Sequence, residues 1–298
     1  MSVALQHLSE DPFALEQPGA YRRWREAKLA RHPRRAEELV VEVRDPRALT
    51  LAEAAEIRRI CGRANMAVYA SPLAGLADKA IALRLGEQLG LGAPLANLLA
   101  DEDAITSLEA VPEKAGRGYI PYTSRRLLWH TDGYYNGPAG TVRSFILHCV
   151  RPAARGGELR LLDPDVAYIL LRDADPEYVR ALSAPGALTI PANEEAPEAA
   201  RPACAGPVFS VHEGTLHMRY TARVKSIEWA ADEATRAAVR FLAGTLESAS
   251  PWVFGLRLEG GQGIVCNNVL HARAAFEDPP APAPGRLVYR ARHLARVP

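Results

Sequence analysis

Cysteine is scarce in this chain, with four among 298 residues. They are Cys61, Cys149, Cys204 and Cys266, far apart and without a C-x-x-C pair. That spacing excludes a disulfide framework and a thiolate zinc site, and the four are expected as small buried hydrophobes in a reduced compartment. Net charge is nearly absent as well. Lys and Arg number 36 against 35 Asp and Glu, a formal balance of +1, which leaves no electrostatic footprint for nucleic acid or an anionic membrane. The basic stretches Arg22-Arg23-Trp24-Arg25 and Arg31-His32-Pro33-Arg34-Arg35 are broken by Glu26 and Glu37-Glu38 and read as solvated helix faces. No run approaches the roughly 18 apolar residues of a membrane span, and no apolar signal-type segment opens the chain, so a cytoplasmic setting is expected. A phosphate-binding glycine loop is also missing, because Gly260-Gly261-Gln262-Gly263 precedes a strand pattern rather than a helix.

What is present is apolar bulk: 48% hydrophobic residues, enough to bury a full core. The first 48 or so residues lack a strong period. Thr50-Leu51-Ala52-Glu53 is a capping box opening a helix with Ile57, Ile60 and Cys61 on one face. Asn65 to Ala70 reads as a strand, and Ser71-Pro72 as the start of a helix running towards Leu89. From about Tyr119 the texture changes to short β-type runs: Val142–Val150, Glu158–Leu162, Ala187–Pro191, Val208–His212, Thr215–Tyr220, Trp252–Leu258, Gly263–Asn267 and Arg286–Leu294. Helical patterns interrupt them at Asp165–Ser183 and Asp232–Ser248, and Pro279 to Pro284 reads as a loop insertion. The expectation is a single domain over 1–298, mainly β with flanking helices. It has a helical lead-in to about residue 64 and a barrel or jelly-roll core over about 117–296.

Chemistry concentrates in Trp129-His130-Thr131-Asp132-Gly133-Tyr134-Tyr135-Asn136. On an extended segment His130 and Asp132 project to the same side, because side chains alternate with period two. They supply two-thirds of a 2-His-1-carboxylate facial triad, the set that holds non-haem Fe(II) with positions left open. The aromatic and glycine flank suits the lip of a small-molecule pocket. His271 is the best third ligand, with competitors: His148 reads as a core histidine bonded to backbone, His212 and His217 flank a hairpin turn, and His7, His32 and His293 lie near the ends. Beyond His271, Arg286, Arg290 and Arg292 share parity on one extended run. A cationic strand face of that kind suits an anionic cosubstrate such as a dicarboxylic oxo acid, although Arg292 is expected in a surface ion pair.

These residues, in order, resemble the taurine dioxygenase-like family of Fe(II)/2-oxoglutarate-dependent oxygenases. The shared pattern is Trp129-His130-Thr131-Asp132, then Gly156-Gly157-Glu158, then Asn267 to Arg273 around His271, then Arg286 with Arg290. The resemblance covers about Tyr119 to Arg292 and implies a double-stranded β-helix, or jelly-roll, core. It implies Fe(II) on His130, Asp132 and His271, 2-oxoglutarate as cosubstrate with its distal carboxylate on Arg286, and O2. Arg290 becomes the substrate's anion contact, with Tyr134, Tyr135, Asn136 and Arg223 lining the substrate side. The activity implied is hydroxylation of a small anionic or zwitterionic molecule, with 2-oxoglutarate and O2 converted to succinate and CO2. Two departures stand out: Leu159 occupies the position after the acid where many members carry a hydroxyl, and the link from His271 to Arg286 is longer. A metal-dependent hydrolase and a non-catalytic ligand-binding jelly roll are the competing readings. A small-molecule partner is expected, without nucleic acid or membrane, and a homo-oligomer is left open.

Overall fold

A computed structural model describes residues 10–96, 103–110, 120–193, 200–225 and 227–298. The expected start of the β core, near residues 117–119, lies outside them. Ten strands form the two sheets that matter for the site: β1 Val40–Glu42, β2 Met66–Ala70, β3 Thr106–Leu108, β4 Leu127–His130, β5 Ser144–Arg151, β6 Leu159–Leu162, β7 Val253–Leu256, β8 Gln262–Cys266, β9 Leu270–Arg273 and β10 Leu287–His293. The larger sheet runs β1-β2-β8-β5-β10-β3 and the smaller β7-β6-β9-β4. Apart from the parallel β1–β2 pair, every pairing within these two sheets is antiparallel. The fold is the double-stranded β-helix, and the larger sheet recruits three strands (β1, β2 and β3) that precede the stretch expected to form the β core. β5 reads Ser-Phe-Ile-Leu-His-Cys-Val and is buried over those seven residues. A continuous apolar run of this kind belongs to a central strand covered on both faces.

Local signals account for most helix boundaries. The capping box forms at α2 (Leu51–Ala64), where the Thr50 hydroxyl accepts from Glu53 N at 3.2 Å and the Glu53 carboxylate accepts from Thr50 N at 2.6 Å. Ile57, Ile60 and Cys61 are fully buried against the larger sheet. The helix expected from Ser71 begins instead at Ala80, as α3 (Ala80–Gln88). The Ser71 hydroxyl donates to Gly261 O at 2.8 Å and so caps nothing, while Asp78 accepts from Ala80 N at 2.9 Å. The single helix expected over Asp165–Ser183 is two, α4 (Pro164–Ala174) and α5 (Pro176–Leu182). Pro176 has no N–H to continue the first, and Asp175 before it is extended at φ −161° and caps the second. Helix α6 (Glu233–Glu247) starts on its Asp232 cap as the pattern predicts.

The lead-in helix α1 (Pro18–Arg31) is fastened by a buried charge cluster rather than by apolar packing alone. Lys28 Nζ lies 2.7 Å from both Asp163 and Asp165, and Asn65 donates to Asp163 at 2.8 Å. Burial alone would lower the Lys28 pKa, but the two carboxylates more than offset it and hold the ammonium charged. Among the described residues no helix is long and apolar enough to cross a membrane.

Candidate metal centre and substrate cavity

Strand pairing assembles the centre. His130 ends β4 and His271 sits on β9, and the two are direct cross-strand partners. Opposed residues of an antiparallel pair project to one face with their Cβ atoms about 5 Å apart, and here the ring centroids are 4.1 Å apart. Asp132 follows His130 by two residues, so its carboxylate reaches the same side: Oδ1 is 3.6 Å from His130 Nε2 and 3.8 Å from His271 Nε2. One ligand atom from each of the three lies within 4.8 Å of the others, and all three residues are buried. Gly133 turns the chain away immediately afterwards at φ +68°, where a Cβ would meet Val142 Cγ2 at 2.5 Å.

The histidines are oriented alike. His130 Nδ1 contacts Leu128 O at 2.8 Å and His271 Nδ1 contacts Val269 O at 2.9 Å. An Nδ1–H donating to a backbone carbonyl leaves the Nε2 lone pair facing Asp132, which is the tautomer a metal ligand requires. Burial, with the His130 ring beside it, pushes the His271 pKa down to about 3, so this imidazole is neutral. Two imidazole nitrogens and one carboxylate oxygen on one face fit a hydrated divalent iron, with positions left for a chelating oxo acid.

Asp132 is held more tightly than the sequence suggested. Arg292, expected on the surface, is buried and donates through Nε to Oδ2 at 2.7 Å, and Arg290 Nη1 stands 3.2 Å from the same oxygen. Burial alone would raise the Asp132 pKa, but Arg290 and Arg292 more than offset it and keep the carboxylate ionised. Arg292 also donates to Tyr135 Oη at 3.0 Å, linking the centre to a wall of the cavity. Asn268, held at φ +50°, accepts from Asp132 N at 2.7 Å and donates to Asp132 O at 3.0 Å. Of the residues missed from the sequence, Arg292 was signalled by its shared parity with Arg290. Asn268 carried no signal beyond its place beside Asn267, which instead ties Asn65 to Val297.

A cavity of about 870 Å³ opens beside His130. Tyr134, Tyr135, Asn136, Arg223 and Arg290, the expected substrate contacts, all line it, joined by Arg201 and Arg292. Arg286 does not: a register shift between Leu287 and Val288 separates it from the other two arginines, and it lines a much smaller cavity with Leu159 and Val288. It is buried, stacks 5.2 Å above the Phe276 ring, and its Nη1 has no hydrogen-bond partner among the described residues. Arg290 Nε is likewise buried and unpartnered. The orphaned guanidinium N–H of Arg286, just ahead of β10, fits the distal carboxylate of a dicarboxylate cosubstrate.

The other histidines stay outside the centre. His148 is buried in β5 with Nδ1 2.9 Å from Tyr69 Oη, a side-chain partner rather than the expected backbone one. His212 is exposed, His217 is part-buried, His32 stacks on Phe254, and His293 is buried beside Gly86. His7 lies outside the described residues.

Comparison with known proteins agrees with this geometry. The family model described as taurine catabolism dioxygenase TauD, TfdA family matches residues 27–297. A uridine-5'-phosphate dioxygenase from Amycolatopsis sp is 30% identical over 227 residues, covering 72% of this chain and 78% of that protein. A uridine-5'-phosphate dioxygenase from Streptomyces sp is also 30% identical over 227 residues, 70% of this chain and 76% of its own. Among solved structures, an asparagine oxygenase complex with Fe(II), hydroxyasparagine and succinate superposes with a TM-score of 0.60 at 19% identity, covering 97% of this chain and 87% of that one. The chain therefore belongs to the taurine catabolism dioxygenase TauD, TfdA family and is a dioxygenase dependent on Fe(II) and 2-oxoglutarate.

Proposed function

We propose that His130, Asp132 and His271 hold the Fe(II), that Arg286 holds the distal carboxylate of 2-oxoglutarate, and that the cavity takes a small anionic substrate. A nucleoside monophosphate is the class that fits best. The observation that supports this most is the junction of a three-ligand cluster with a cavity lined by Arg201, Arg223, Arg290 and Arg292. The two uridine-5'-phosphate dioxygenases similar to this chain point to the same substrate class. Bound Fe(II) and 2-oxoglutarate together supply oxidative decarboxylation to succinate and CO2, with oxygen delivered to a substrate C–H bond.

The chain's own residues orient and exclude. The Leu128 and Val269 carbonyls fix both imidazoles, Arg292 occupies Asp132 Oδ2, and Oδ1, which also accepts from Arg290 Nη1 at 3.3 Å, faces both histidine Nε2 atoms. Arg290, Tyr134, Tyr135, Asn136 and Arg223 contact the substrate, and the apolar wall of Leu127, Leu128 and Tyr122 keeps water from the reacting end. The substituent at position 159 is apolar, so Arg286 carries the distal carboxylate without help from a neighbouring hydroxyl there.

The test is succinate formation with Fe(II), 2-oxoglutarate and O2 across a panel of nucleoside monophosphates, nucleosides and amino acids, comparing wild type with His271→Ala. Nucleotide-stimulated succinate lost in the variant is the expected result. Stimulation by amino acids alone overturns the substrate class, and Zn(II)-dependent hydrolysis without O2 overturns the reaction.

A further inference from the structure

Four arginines line the cavity, and they are not equivalent. Arg290 and Arg292 both donate to Asp132, so their charge is already matched to a carboxylate. Arg219, close behind the same wall, is fully engaged with backbone: its guanidinium donates to Tyr134 O at 2.7 Å, Leu188 O at 3.0 Å and Cys204 O at 2.7 Å. Arg201 and Arg223 differ from all three. Neither has a carboxylate partner among the described residues, and both line the cavity. Arg201 is preset: Nη1 donates to Pro191 O at 2.8 Å and the guanidinium lies 5.9 Å from the Tyr135 ring centroid, which leaves its remaining N–H groups for a ligand. The guanidinium of Arg223 makes no hydrogen bond or ion pair among the described residues. The Tyr134 ring stands 6.4 Å from His130 and 5.2 Å from Tyr135, on the same cavity wall.

We propose that Arg201 and Arg223 form a phosphate subsite that takes the dianionic monoester of the substrate, with Tyr134 and Tyr135 flanking the rest of the molecule on its way to the triad. Two uncommitted monocations match the charge of a phosphate monoester, and planar guanidinium forks suit its oxygens. A carboxylate needs only one of them. The inference rests on the reading of the substrate as a nucleoside monophosphate and adds where its phosphate is held.

Calorimetric binding of uridine-5'-monophosphate and uridine to anaerobic Fe(II)- and 2-oxoglutarate-loaded enzyme tests it, using wild type, Arg201→Gln, Arg223→Gln and Arg223→Lys. The wild type is expected to bind the nucleotide at least tenfold more tightly than the nucleoside. Each Gln variant should weaken nucleotide binding roughly ten- to a hundredfold and leave nucleoside binding within about twofold, with Lys recovering part of the loss. An unchanged ultraviolet-visible change on adding 2-oxoglutarate to the Fe(II) enzyme reports an intact centre in each variant. Nucleotide affinity within twofold of wild type in both Gln variants overturns the subsite and leaves the substrate class standing, as does equal loss of nucleotide and nucleoside. A wild type that ignores uridine compounds but binds another phosphate monoester through both arginines upholds the subsite and overturns the nucleotide reading. Absence of arginine-dependent binding for any monoester overturns the subsite itself.

Discussion

Asp132→Ala is expected to destabilise the metal-free protein, which is unusual for removal of a residue proposed to hold a metal. In most empty metal sites a carboxylate is an unmatched charge, and deleting it is neutral or stabilising. Here Asp132 is also the counter-ion of Arg290 and Arg292, which are 7% and 6% exposed and reach it at 3.2 and 2.7 Å. Removing it leaves two buried guanidiniums without the anion they share. Breaking a buried pair from one side costs about 3–5 kcal/mol. For a chain of this size the unfolding entropy is about 0.6 kcal/mol/K, so the loss corresponds to a melting temperature lower by about 5–8 °C. The assay is calorimetric melting of chelator-treated wild type, Asp132→Ala and Asp132→Asn, with no metal in any arm. The Asn variant keeps an acceptor oxygen and should lose roughly half as much, and added 2-oxoglutarate should restore part of the Ala loss by supplying an anion. A metal-free Ala variant melting within 1 °C of wild type, or above it, refutes the argument that this carboxylate neutralises the two arginines.

Three further outcomes follow from the same geometry. Arg286→Gln should raise the KM for 2-oxoglutarate roughly ten- to a hundredfold in steady-state succinate assays while leaving the KM for the primary substrate nearly unchanged, because its orphaned Nη1 loses a charge-assisted partner. His148 is neutral in the fold, its pKa pushed down to about 4 by burial, whereas an unfolded histidine takes its proton near 6.5. Unfolding therefore takes up a proton between about pH 6.5 and 4, and stability falls as pH drops through that window by up to about 3 kcal/mol from this residue. His148→Gln should flatten the acid limb of a melting-temperature profile without removing it, since His217 and His271 are depressed into the same range. Gly156→Ala should cost at least about 2 kcal/mol in denaturant unfolding: its φ is +71° and a Cβ would stand 2.3 Å from Ala275 O, a backbone atom that cannot swing away.

What was legible in the sequence was whatever short-range chemistry determines. The Thr50-Glu53 box, the run of buried residues in β5 and the parity of His130 with Asp132 each depend on neighbours a few positions away, and each is realised as read. His271 was legible only as the best of several candidate histidines, because the register of β9 on β4 is what puts it opposite His130, and register is a property of two strands at once. The helix boundary at Ser71 went astray for a related reason: a hydroxyl that could cap its own turn donates to Gly261 across the fold instead.

The arginines carry the same lesson into function. Arg286, Arg290 and Arg292 look equivalent along an ideal strand, but a one-residue register shift after Leu287 sets Arg286 apart. From the sequence, Arg292 is expected in a surface ion pair, since surface pairs are what isolated arginines usually make. Burial reverses that reading. A guanidinium taken out of water must find an anion, and the interior offers Arg290 and Arg292 the Asp132 carboxylate. It leaves Arg286 with an N–H unanswered and Arg201 and Arg223 with charges unmatched among the described residues. A protein whose formal charges sum to +1 thus still gathers four arginines around one cavity, two of them without a carboxylate partner among the described residues. Overall composition could not reveal this, because near-neutrality over the whole chain conceals a local excess of positive charge, which is what the proposed anionic ligands would match.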